Sequence, residues 1–256
     1  MRNFGLIGHS LVHSFSKAYF NKKFKTENID ALYSNFELDN VCGLRDLFSE
    51  YKLSGLNVTI PFKEKVISQL DSLDEVSLDI GAVNTIKPFF KNNKLVTLKG
   101  YNTDAYGFKH MVKPYLKSHH TKALVLGTGG ASKAVAYVLN SYNIEVNFIS
   151  RKKTSVFENH FTWSQLNSNM VAGHYLIVNT TPVGMYPNID HASYQLSVLL
   201  QERQHSSYLF LSGDLGACDR TIPSLPWYQE GSTTHQEEAQ QRLALESQKK
   251  RLEKLH

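Results

Sequence analysis

The sequence predicts an α/β fold divided into two domains. Short apolar runs, typical of buried strands, alternate with stretches of helical periodicity along most of the chain. The length of 256 residues suffices for two domains of roughly 100 to 150 residues each, and two domains provide for a cleft. In the second half, an apolar run leads directly into glycines and a helical stretch, which is typical of a Rossmann-like unit.

The first predicted domain, residues 1–103, begins with a strand at residues 4–7 and a helix near Ser16. Another strand is predicted over residues 53–60. Pro61 follows this strand and suits the first turn of a helix, where the N–H that proline lacks is not needed. The residues just before Pro61 therefore lie at a strand end, and open α/β sheets bind their ligands at such ends.

The second predicted domain, residues 104–235, opens with Asp104 as the candidate N-cap of a helix that runs towards Leu116. The apolar run that follows is uninterrupted, as expected of a parallel strand covered on both faces, and it starts a βαβ unit. Strands are predicted at residues 123–126, 146–149, 175–178 and 208–211, and helices at residues 131–139 and in a charged tail at 236–256.

The composition argues against several classes of protein. With 41% hydrophobic and 20% charged residues, no segment approaches the roughly 18 apolar residues that a membrane span needs. The N-terminus does not resemble a signal peptide, since Gly8, His9 and Ser10 interrupt any apolar stretch, and we expect a cytoplasmic protein. The net charge of +5 is spread along the chain, which favours anionic small molecules over nucleic acid.

Cysteine and histidine spacing predicts no metal site. Cys42 and Cys218 are the only cysteines, too few for a disulfide framework, and we interpret both as small buried or semi-buried residues. The 11 histidines include the pair His119 and His120, but no spacing typical of zinc ligands occurs. We therefore interpret the histidine pair as part of a solvated loop.

A glycine turn lies between a predicted strand and a predicted helix. Small residues in this place let the backbone approach a pyrophosphate, and the helix N-terminus offers free N–H groups. Ser132 stands where the dinucleotide fingerprint has its third glycine, so a tight turn without a ligand is the alternative interpretation. The turn is formed by Gly127, Thr128, Gly129 and Gly130, followed by Ala131.

The end of the next strand favours NADP as the cofactor. An NAD site would carry an acidic residue there, whereas this chain has Ser150, Arg151 and Lys152 and no carboxylate before Glu158. A guanidinium binds a 2′-phosphate in a bidentate manner. The alternative is a solvated basic loop.

Two pairs of polar residues are candidates for a substrate site. Lys63 follows the strand end before Pro61, and Asp104 lies at the proposed domain junction, so both are expected near the cleft. A lysine beside a carboxylate holds a substrate hydroxyl and moves its proton, although each residue alone also fits a surface lysine or a helix cap. Ser14 and Ser16 would point the same way on an extended stretch and donate to one anion, whereas the alternative for Ser16 is a helix N-cap.

Taken together, these segments resemble the shikimate dehydrogenase family. The resemblance extends over residues 3–211 and rests on six blocks in the family's order. They are His13-Ser14-Phe15-Ser16, Asn57-Val58-Thr59-Ile60-Pro61-Phe62-Lys63, Gly81-Ala82-Val83-Asn84-Thr85, Gly100-Tyr101-Asn102-Thr103-Asp104, the glycine turn, and Asn179-Thr180-Thr181-Pro182-Val183-Gly184-Met185.

The resemblance implies an N-terminal substrate domain and a Rossmann-like NADP-binding domain, with the C-terminal helix 236–256 returning to the first. It implies reversible reduction of 3-dehydroshikimate to shikimate, in the biosynthesis of chorismate and the aromatic amino acids, by a monomer or homodimer. Lys63 would be the main acid/base group and Asp104 its partner. Substrate contacts would come from Ser14, Ser16, Thr59 and Asn84, and cofactor contacts from Gly127, Gly129, Gly130, Ala131, Ser150, Arg151, Lys152, Thr180 and Met185.

The chain departs from the family's pattern after Phe210. The tyrosine of the family's next strand end has no match, and Gln240 and Gln241 lie in surroundings too different to be assigned the family's substrate-binding glutamine. We hypothesise that the segment after Phe210 is unrelated to the ancestral one. One alternative is therefore a relative that binds ligands but is catalytically weak. Another, within the same fold, is a quinate/shikimate dehydrogenase that uses NAD, against which Arg151 and Lys152 argue.

Overall fold

The structure, a computed structural model, describes residues 1–12, 14–153, 157 and 159–181, and the backbone of Leu209–Ser212. The chain divides into two compact units. The first described unit is Met1–Thr103, and the second begins at Asp104. Both units combine helices with a sheet that contains parallel strands, so the predicted α/β class is confirmed.

The first unit is built on a six-stranded sheet with the strand order β2-β1-β3-β5-β6-β4. Strands β2, β1 and β3 are parallel, β5 is antiparallel to both β3 and β6, and β4 is parallel to β6. In chain order its elements are β1 (Arg2–Gly8), α1 (Phe15–Thr26), β2 (Ala31–Glu37), α2 (Leu44–Glu50), β3 (Leu53–Val58), α3 (Phe62–Lys65), a 3₁₀ turn (Val66–Gln69), β4 (Ser72–Leu73), α4 (Glu75–Ile80), β5 (Thr85–Lys91) and β6 (Lys94–Tyr101).

This sheet has a hydrophobic cluster on each face. Phe4 of β1 packs with Phe20 and Phe24 of α1, while Ile7 of the same strand belongs to a second cluster that contains Phe48 of α2. Because successive strand side chains point to opposite faces, a strand covered on both faces needs an almost continuous apolar run. Each fully buried phenylalanine contributes about 1.5–3 kcal/mol of hydrophobic free energy.

The second unit is a parallel five-stranded sheet with the strand order β11-β10-β7-β8-β9. Helix α6 buries Ala134, Val135 and Val138 and packs against β7 and β8. Its elements are α5 (Asp104–Val112), a 3₁₀ turn (Lys113–Tyr115), β7 (Lys122–Leu126), α6 (Gly130–Asn140), β8 (Glu145–Ser150), β9 (His160–Thr162), a second 3₁₀ turn (Trp163–Gln165), α7 (Ser168–Gly173), β10 (Leu176–Asn179) and β11 (Leu209–Ser212).

Several predicted element bounds need correction. Asp104 is the first residue of α5 rather than its N-cap, because the side chain of Asn84 holds Thr103 outside the helix. The helix ends at Val112 and not near Leu116, since Pro114 lacks the N–H that the next α-helical turn requires.

The strand predicted over residues 53–60 ends at Val58. The chain turns at this point, and the N–H of Phe62 donates to the carbonyl of Thr59 over 2.9 Å. Pro61 then lies at the N-cap of α3 and not inside its first turn. The predicted tail helix 236–256 lies outside the described residues.

Two predictions about single side chains are wrong. Cys42, expected to be at least half-buried, is exposed. His120, expected in a solvated loop, is buried, and its Nδ1 accepts a hydrogen bond of 3.0 Å from the N–H of Lys117. Burial lowers the pKa of His120, and the neighbouring His119 and Lys117 lower it further.

Among the described residues, no helix combines the length and the apolar character needed to cross a membrane. The same part of the chain contains no group of three or more His, Cys, Asp or Glu side chains placed to hold a metal ion.

Candidate functional site

The candidate substrate residues of the first unit lie along one edge of its sheet. The carboxyl ends of β1 and β3 are neighbours there, with Ile7 opposite Val58. Strand β5 begins at the same edge, with Thr85 opposite both Asn57 and Tyr101. Residues that follow β1 and β3, precede β5 or follow β6 therefore emerge side by side.

Thr59 and Lys63 are held at this edge by backbone hydrogen bonds. The N–H of Thr59 donates to the carbonyl of Ile7 over 2.9 Å, and the carbonyl of Lys63 accepts from the N–H of Val83 over 2.7 Å. Lys63 is 6% exposed although it carries an ammonium group. A lysine is rarely buried to this extent without partners for its charge, which makes Lys63 a candidate for chemistry.

Both the backbone and the side chain of Asn84 are hydrogen-bonded at the same edge. Its backbone N–H donates to Tyr101 over 3.0 Å, and its carbonyl accepts from Val58 over 2.8 Å. Its side-chain Nδ2 donates to Oγ1 of Thr103 over 3.0 Å, and its Oδ1 accepts from the Thr103 N–H over 2.9 Å. The side chain thereby fixes the residue that precedes Asp104, which is itself fully buried.

Ser14 and Ser16 do not lie on one extended stretch. Ser14 is the N-cap of α1, and Ser16 lies in the first turn of that helix. The expected extended stretch is therefore wrong, because helix α1 begins at Phe15, between the two serines. The alternative, Ser16 as the N-cap, is wrong too, because Ser14 occupies that position.

Ser14 has a backbone in the extended region and makes no side-chain bond to the helix that it caps. It lines an open cavity of about 670 Å³ on the first unit, together with Lys17 and Glu37. Ser16 is not among the described residues that line this cavity. The first turn of α1 contains no acidic residue, and this end of the helix is therefore suited to an anion.

The candidate cofactor residues lie at the carboxyl edge of the second sheet. Strand β7 ends at Leu126, which is opposite Ile149 of β8 and Asn179 of β10. The N–H of Gly127 donates to the carbonyl of Ile149 over 2.8 Å, and that of Thr180 donates to Leu126 over 2.9 Å. The glycine turn, Ser150 and Thr180 consequently meet at one edge.

Gly127 and Gly129 of the turn have different local requirements. Gly127 has a φ of +110°, and a Cβ placed there would lie 2.8 Å from Oγ1 of Thr180. Gly129, the N-cap of α6, has an ordinary φ of −87°, and a Cβ there would meet nothing within 4 Å. The space at Gly129 adjoins the N–H groups of the first turn of α6, which contains no acidic residue. This space and these donors fit a pyrophosphate.

Ser132 makes a side-chain hydrogen bond that a glycine in its place could not make. Its Oγ lies 2.7 Å from Oγ1 of Thr180, which in turn donates to the carbonyl of Leu126 over 2.6 Å. Since that carbonyl can only accept, the Ser132 hydroxyl donates to Thr180. Ser132 therefore links the first turn of α6 to the end of β10.

Beyond β8, the basic residues are exposed and their turn is held from within. Ser150 Oγ donates to the carbonyl of Lys152 over 2.7 Å and lies 2.8 Å from Nε2 of the buried His160. The side chains of Arg151 and Lys152 are free to reach solvent. Met185, a predicted cofactor residue, lies outside the described residues. The unassigned Gln240 and Gln241 lie outside them as well.

Sequence reasoning missed the polar residues behind the substrate edge. Asn57, Thr85 and Thr103 are all buried, and the first two lie inside strands. A polar side chain within an otherwise apolar strand was the available signal, because buried polar groups have hydrogen-bond partners almost without exception. His160, behind Ser150, left no comparable signal.

Comparisons with known proteins agree with this arrangement. A family model described as the shikimate dehydrogenase substrate binding domain matches residues 6–86. The shikimate dehydrogenase (NADP(+)) of Clostridium perfringens strain SM101 is 37% identical over 210 residues, which cover 78% of this chain and 75% of that protein.

Two solved structures are similar as well. Shikimate dehydrogenase 1 from Peptoclostridium difficile is 32% identical, with a TM-score of 0.66 over 78% of this chain and 74% of that one. Shikimate 5-dehydrogenase from Thermus thermophilus, in complex with NADP(H) and shikimate, is 28% identical, with a TM-score of 0.61 over 75% and 73%.

The two α/β units, with a glycine turn at a parallel strand end, define a two-domain protein of the Rossmann type. A relative more than 30% identical, aligned over three quarters of its own length, narrows the assignment further. The chain belongs to the shikimate dehydrogenase family.

Proposed function

We propose that the protein is an NADP-dependent shikimate dehydrogenase that reversibly reduces 3-dehydroshikimate to shikimate. The observation that carries the proposal is the burial of Lys63 beside Thr59 and Asn84 at one sheet edge, within the segment matched by the family model. The relative that carries the name shikimate dehydrogenase (NADP(+)) supports both the reaction and the cofactor.

The substrate and the cofactor are assigned to different units. Residues 1–103 form the substrate domain, joined by the tail 236–256, and residues 104–235 form the NADP-binding domain. The substrate edge of the first sheet and the glycine turn of the second support this division, because each lies where strands of its own sheet end.

Ser14 and Ser16 bind the carboxylate of the substrate. Helix α1 supports this role, since its first turn offers N–H groups and a basic residue, Lys17, but no acidic one. The Ser14 hydroxyl is not used to cap the helix, and Ser14 lines the cavity on this unit. Anions are favoured at such helix ends by the helix dipole and the free donors together.

Lys63 and Asp104 handle the proton of the reacting hydroxyl. When shikimate is oxidised, Lys63 Nζ takes up the hydroxyl proton as the neutral amine, and in the reverse direction the ammonium so formed returns that proton to the carbonyl oxygen. Asp104 is the carboxylate partner of Lys63 in this proton transfer. Thr59 and Asn84 orient the remaining ring oxygens, and such oriented bonds discriminate against analogues that lack a hydroxyl by up to about ten-thousandfold. Bound NADP would accept the hydride when shikimate is oxidised, and bound NADPH would donate it in the reverse direction.

The second unit holds NADP at its carboxyl edge. Gly127, Gly129, Gly130 and Ala131 cradle the pyrophosphate, and the open space at Gly129 supports this assignment. Thr180 and Met185 lie near the nicotinamide ribose and ring. The adenosine 2′-phosphate is bound by Ser150, Arg151 and Lys152.

The remaining features of the proposal concern its setting. The enzyme works in the cytoplasm on small molecules, as a monomer or homodimer, without nucleic acid or a membrane. A charge of +5 that is spread along the chain rather than gathered in one stripe supports small anionic ligands over nucleic acid.

A spectrophotometric assay of NADP reduction by shikimate tests the proposal, with quinate and NAD run alongside. We expect turnover with shikimate and NADP, and much slower turnover after either replacement. Equal turnover of quinate with NAD would support a quinate/shikimate dehydrogenase. Thermal stabilisation by shikimate without any turnover would support the binding-only relative, which the departure after Phe210 keeps open, and would refute the proposed activity.

A further inference from the structure

A chain of buried polar side chains runs behind the substrate edge of the first sheet. It connects β2, β3 and β5 with Thr103, the second residue after β6, through side-chain hydrogen bonds, in a sheet whose neighbouring side chains are apolar. We name it the buried polar chain. Its members, with their exposed fractions, are Tyr33 (1%), Asn57 (2%), Thr85 (0%), Asn84 (1%) and Thr103 (2%).

The hydrogen bonds of the buried polar chain run in one direction, apart from a longer contact of 3.3 Å in which Thr103 Oγ1 donates to Oδ1 of Asn84. The N–H of Thr103 can only donate, so the Asn84 atom that faces it over 2.9 Å is the oxygen Oδ1. Thr85 Oγ1 lies 3.1 Å from that oxygen and must donate to it. Asn84 Nδ2 is thereby directed to Oγ1 of Thr103, 3.0 Å away.

The same direction continues towards β2. Because the Thr85 hydroxyl donates its hydrogen to Asn84, it accepts from Nδ2 of Asn57 over 3.2 Å. That leaves Oδ1 of Asn57 as the acceptor for the Tyr33 hydroxyl, 2.7 Å away. A reversed amide at Asn84 would set its Nδ2 against the N–H of Thr103, so the buried polar chain admits one orientation of Asn84.

We propose that Thr85 and Asn57 are positioning residues of the dehydrogenase reaction. They hold the Asn84 amide in one orientation and, through it, hold Thr103, which directly precedes Asp104 in the sequence. The inference rests on the proposed function, since it assigns Asn84 and Asp104 their tasks. Neither Thr85 nor Asn57 needs to touch the substrate.

The composition of the strands supports a role beyond folding. Asn57 lies between Leu56 and Val58, and Thr85 is followed by Ile86; these three neighbours are buried members of the hydrophobic core. Valine at position 85 would keep the shape and the β-branch of threonine without burying a hydroxyl. Polar side chains at these positions are costly unless every partner is in place, which is what the buried polar chain provides.

The test is the steady-state kinetics of Thr85→Val and Thr85→Ser, with Ser77→Ala as the matched control. Ser77 is also fully buried in the first unit, but its hydroxyl lacks a hydrogen-bond partner and lies outside the chain. We expect Thr85→Val to lower kcat/KM for shikimate about tenfold, the effect of one lost hydrogen bond, with KM for NADP within about twofold. Thr85→Ser restores most of the loss, and Ser77→Ala changes neither constant.

Three results would overturn the inference. The first is an unchanged kcat/KM for shikimate in Thr85→Val, and the second is a rise of its KM for NADP as large as its fall in kcat/KM for shikimate. The third is a kcat/KM for shikimate in Thr85→Ser that is as low as in Thr85→Val. If Thr85→Val does not fold, Tyr33→Phe decides at the far end of the chain, where a lower kcat/KM supports the inference and an unchanged value overturns it. Wild-type protein that does not oxidise shikimate refutes the proposed function, and this inference with it, whereas an active wild type with unaffected variants refutes only the inference.

Discussion

Thr180 lies so close to Gly127 that a Cβ atom on the glycine would come within 2.8 Å of the threonine Oγ1. The φ of +110° at Gly127 adds a second reason why only glycine fits. Gly129, two residues further on, meets neither restriction. Gly127 is therefore required by the fold, whereas Gly129 leaves space for the proposed ligand.

Gly129→Ala tests whether the open space at Gly129 accommodates the pyrophosphate of NADP. The added methyl group occupies space that the protein leaves open, so we expect the melting temperature to stay unchanged. In the proposed complex the same methyl group meets the pyrophosphate, and KM for NADP rises by about tenfold or more, as one displaced charge-assisted hydrogen bond would require. Thermal unfolding and NADP titrations measure the two effects, and an unchanged KM for NADP would argue against a pyrophosphate at this turn.

Gly127→Ala is the matched variant for the fold. The strained backbone and the contact with Thr180 are expected to cost about 1–3 kcal/mol of the free energy of unfolding. Urea unfolding measures this cost. A variant as stable as the wild type would mean that the turn adopts another conformation.

Arg151→Ala tests the choice between NADP and NAD. Arg151 is exposed beyond β8, and its guanidinium is assigned to the 2′-phosphate that only NADP carries. We expect KM for NADP to rise about tenfold to a hundredfold, the range for a lost hydrogen bond to a charged group, while KM for NAD hardly changes. An equal effect on both cofactors would show that Arg151 contributes only general positive charge.

His174 makes the second unit sensitive to acid. Its Nδ1 donates to the carbonyl of Met170, and its Nε2 accepts from Nδ2 of Asn147 over 2.9 Å, which is the pattern of a neutral imidazole. Burial lowers the pKa of His174 below its ordinary 6.5, and the positive charge of Lys122 lowers it further, against the opposing effects of the Met170 bond and Glu145.

A lowered pKa means that the unfolded chain takes up a proton before the native state does. The free energy of unfolding is therefore largest above pH 6.5 and falls as the pH drops towards the lowered pKa of His174. Urea unfolding at about pH 7.5 and about pH 5.5 measures this, with His174→Gln as a variant that cannot titrate. The loss of stability on acidification should be smaller in the variant, and equal losses would assign the acid sensitivity to other groups.

Much of the fold is readable from the sequence because burial leaves a pattern. The uninterrupted apolar run at residues 123–126 became the central strand β7, and the glycines after it became the turn before α6. Element ends were less predictable. Pro114 ended a helix earlier than its apolar pattern suggested, and the start of α1 at Phe15 turned an expected extended pair of serines into a cap and a helical residue.

The hydrogen bonds behind the site were beyond sequence reasoning. Asn57 and Thr85 are 28 residues apart, and only the register of β3 against β5 brings them opposite each other. A strand's apolar pattern predicts which face is buried but not which residue of another strand it meets. The contact of Asn84 with Thr103 follows from the register of β5 against β6, and the link from Ser132 to Thr180 follows from the neighbouring ends of β7 and β10.

The most direct test of the central claim is the kcat of Lys63→Met for shikimate oxidation with NADP. Methionine keeps most of the volume of the buried stem and removes the amino group that is assigned to the proton transfer. Lys65→Met is the control, because Lys65 is an exposed lysine on the same short helix α3. We predict that kcat falls by about a hundredfold or more in Lys63→Met and by less than about twofold in Lys65→Met. A Lys63→Met enzyme as fast as the wild type would contradict the proposed mechanism.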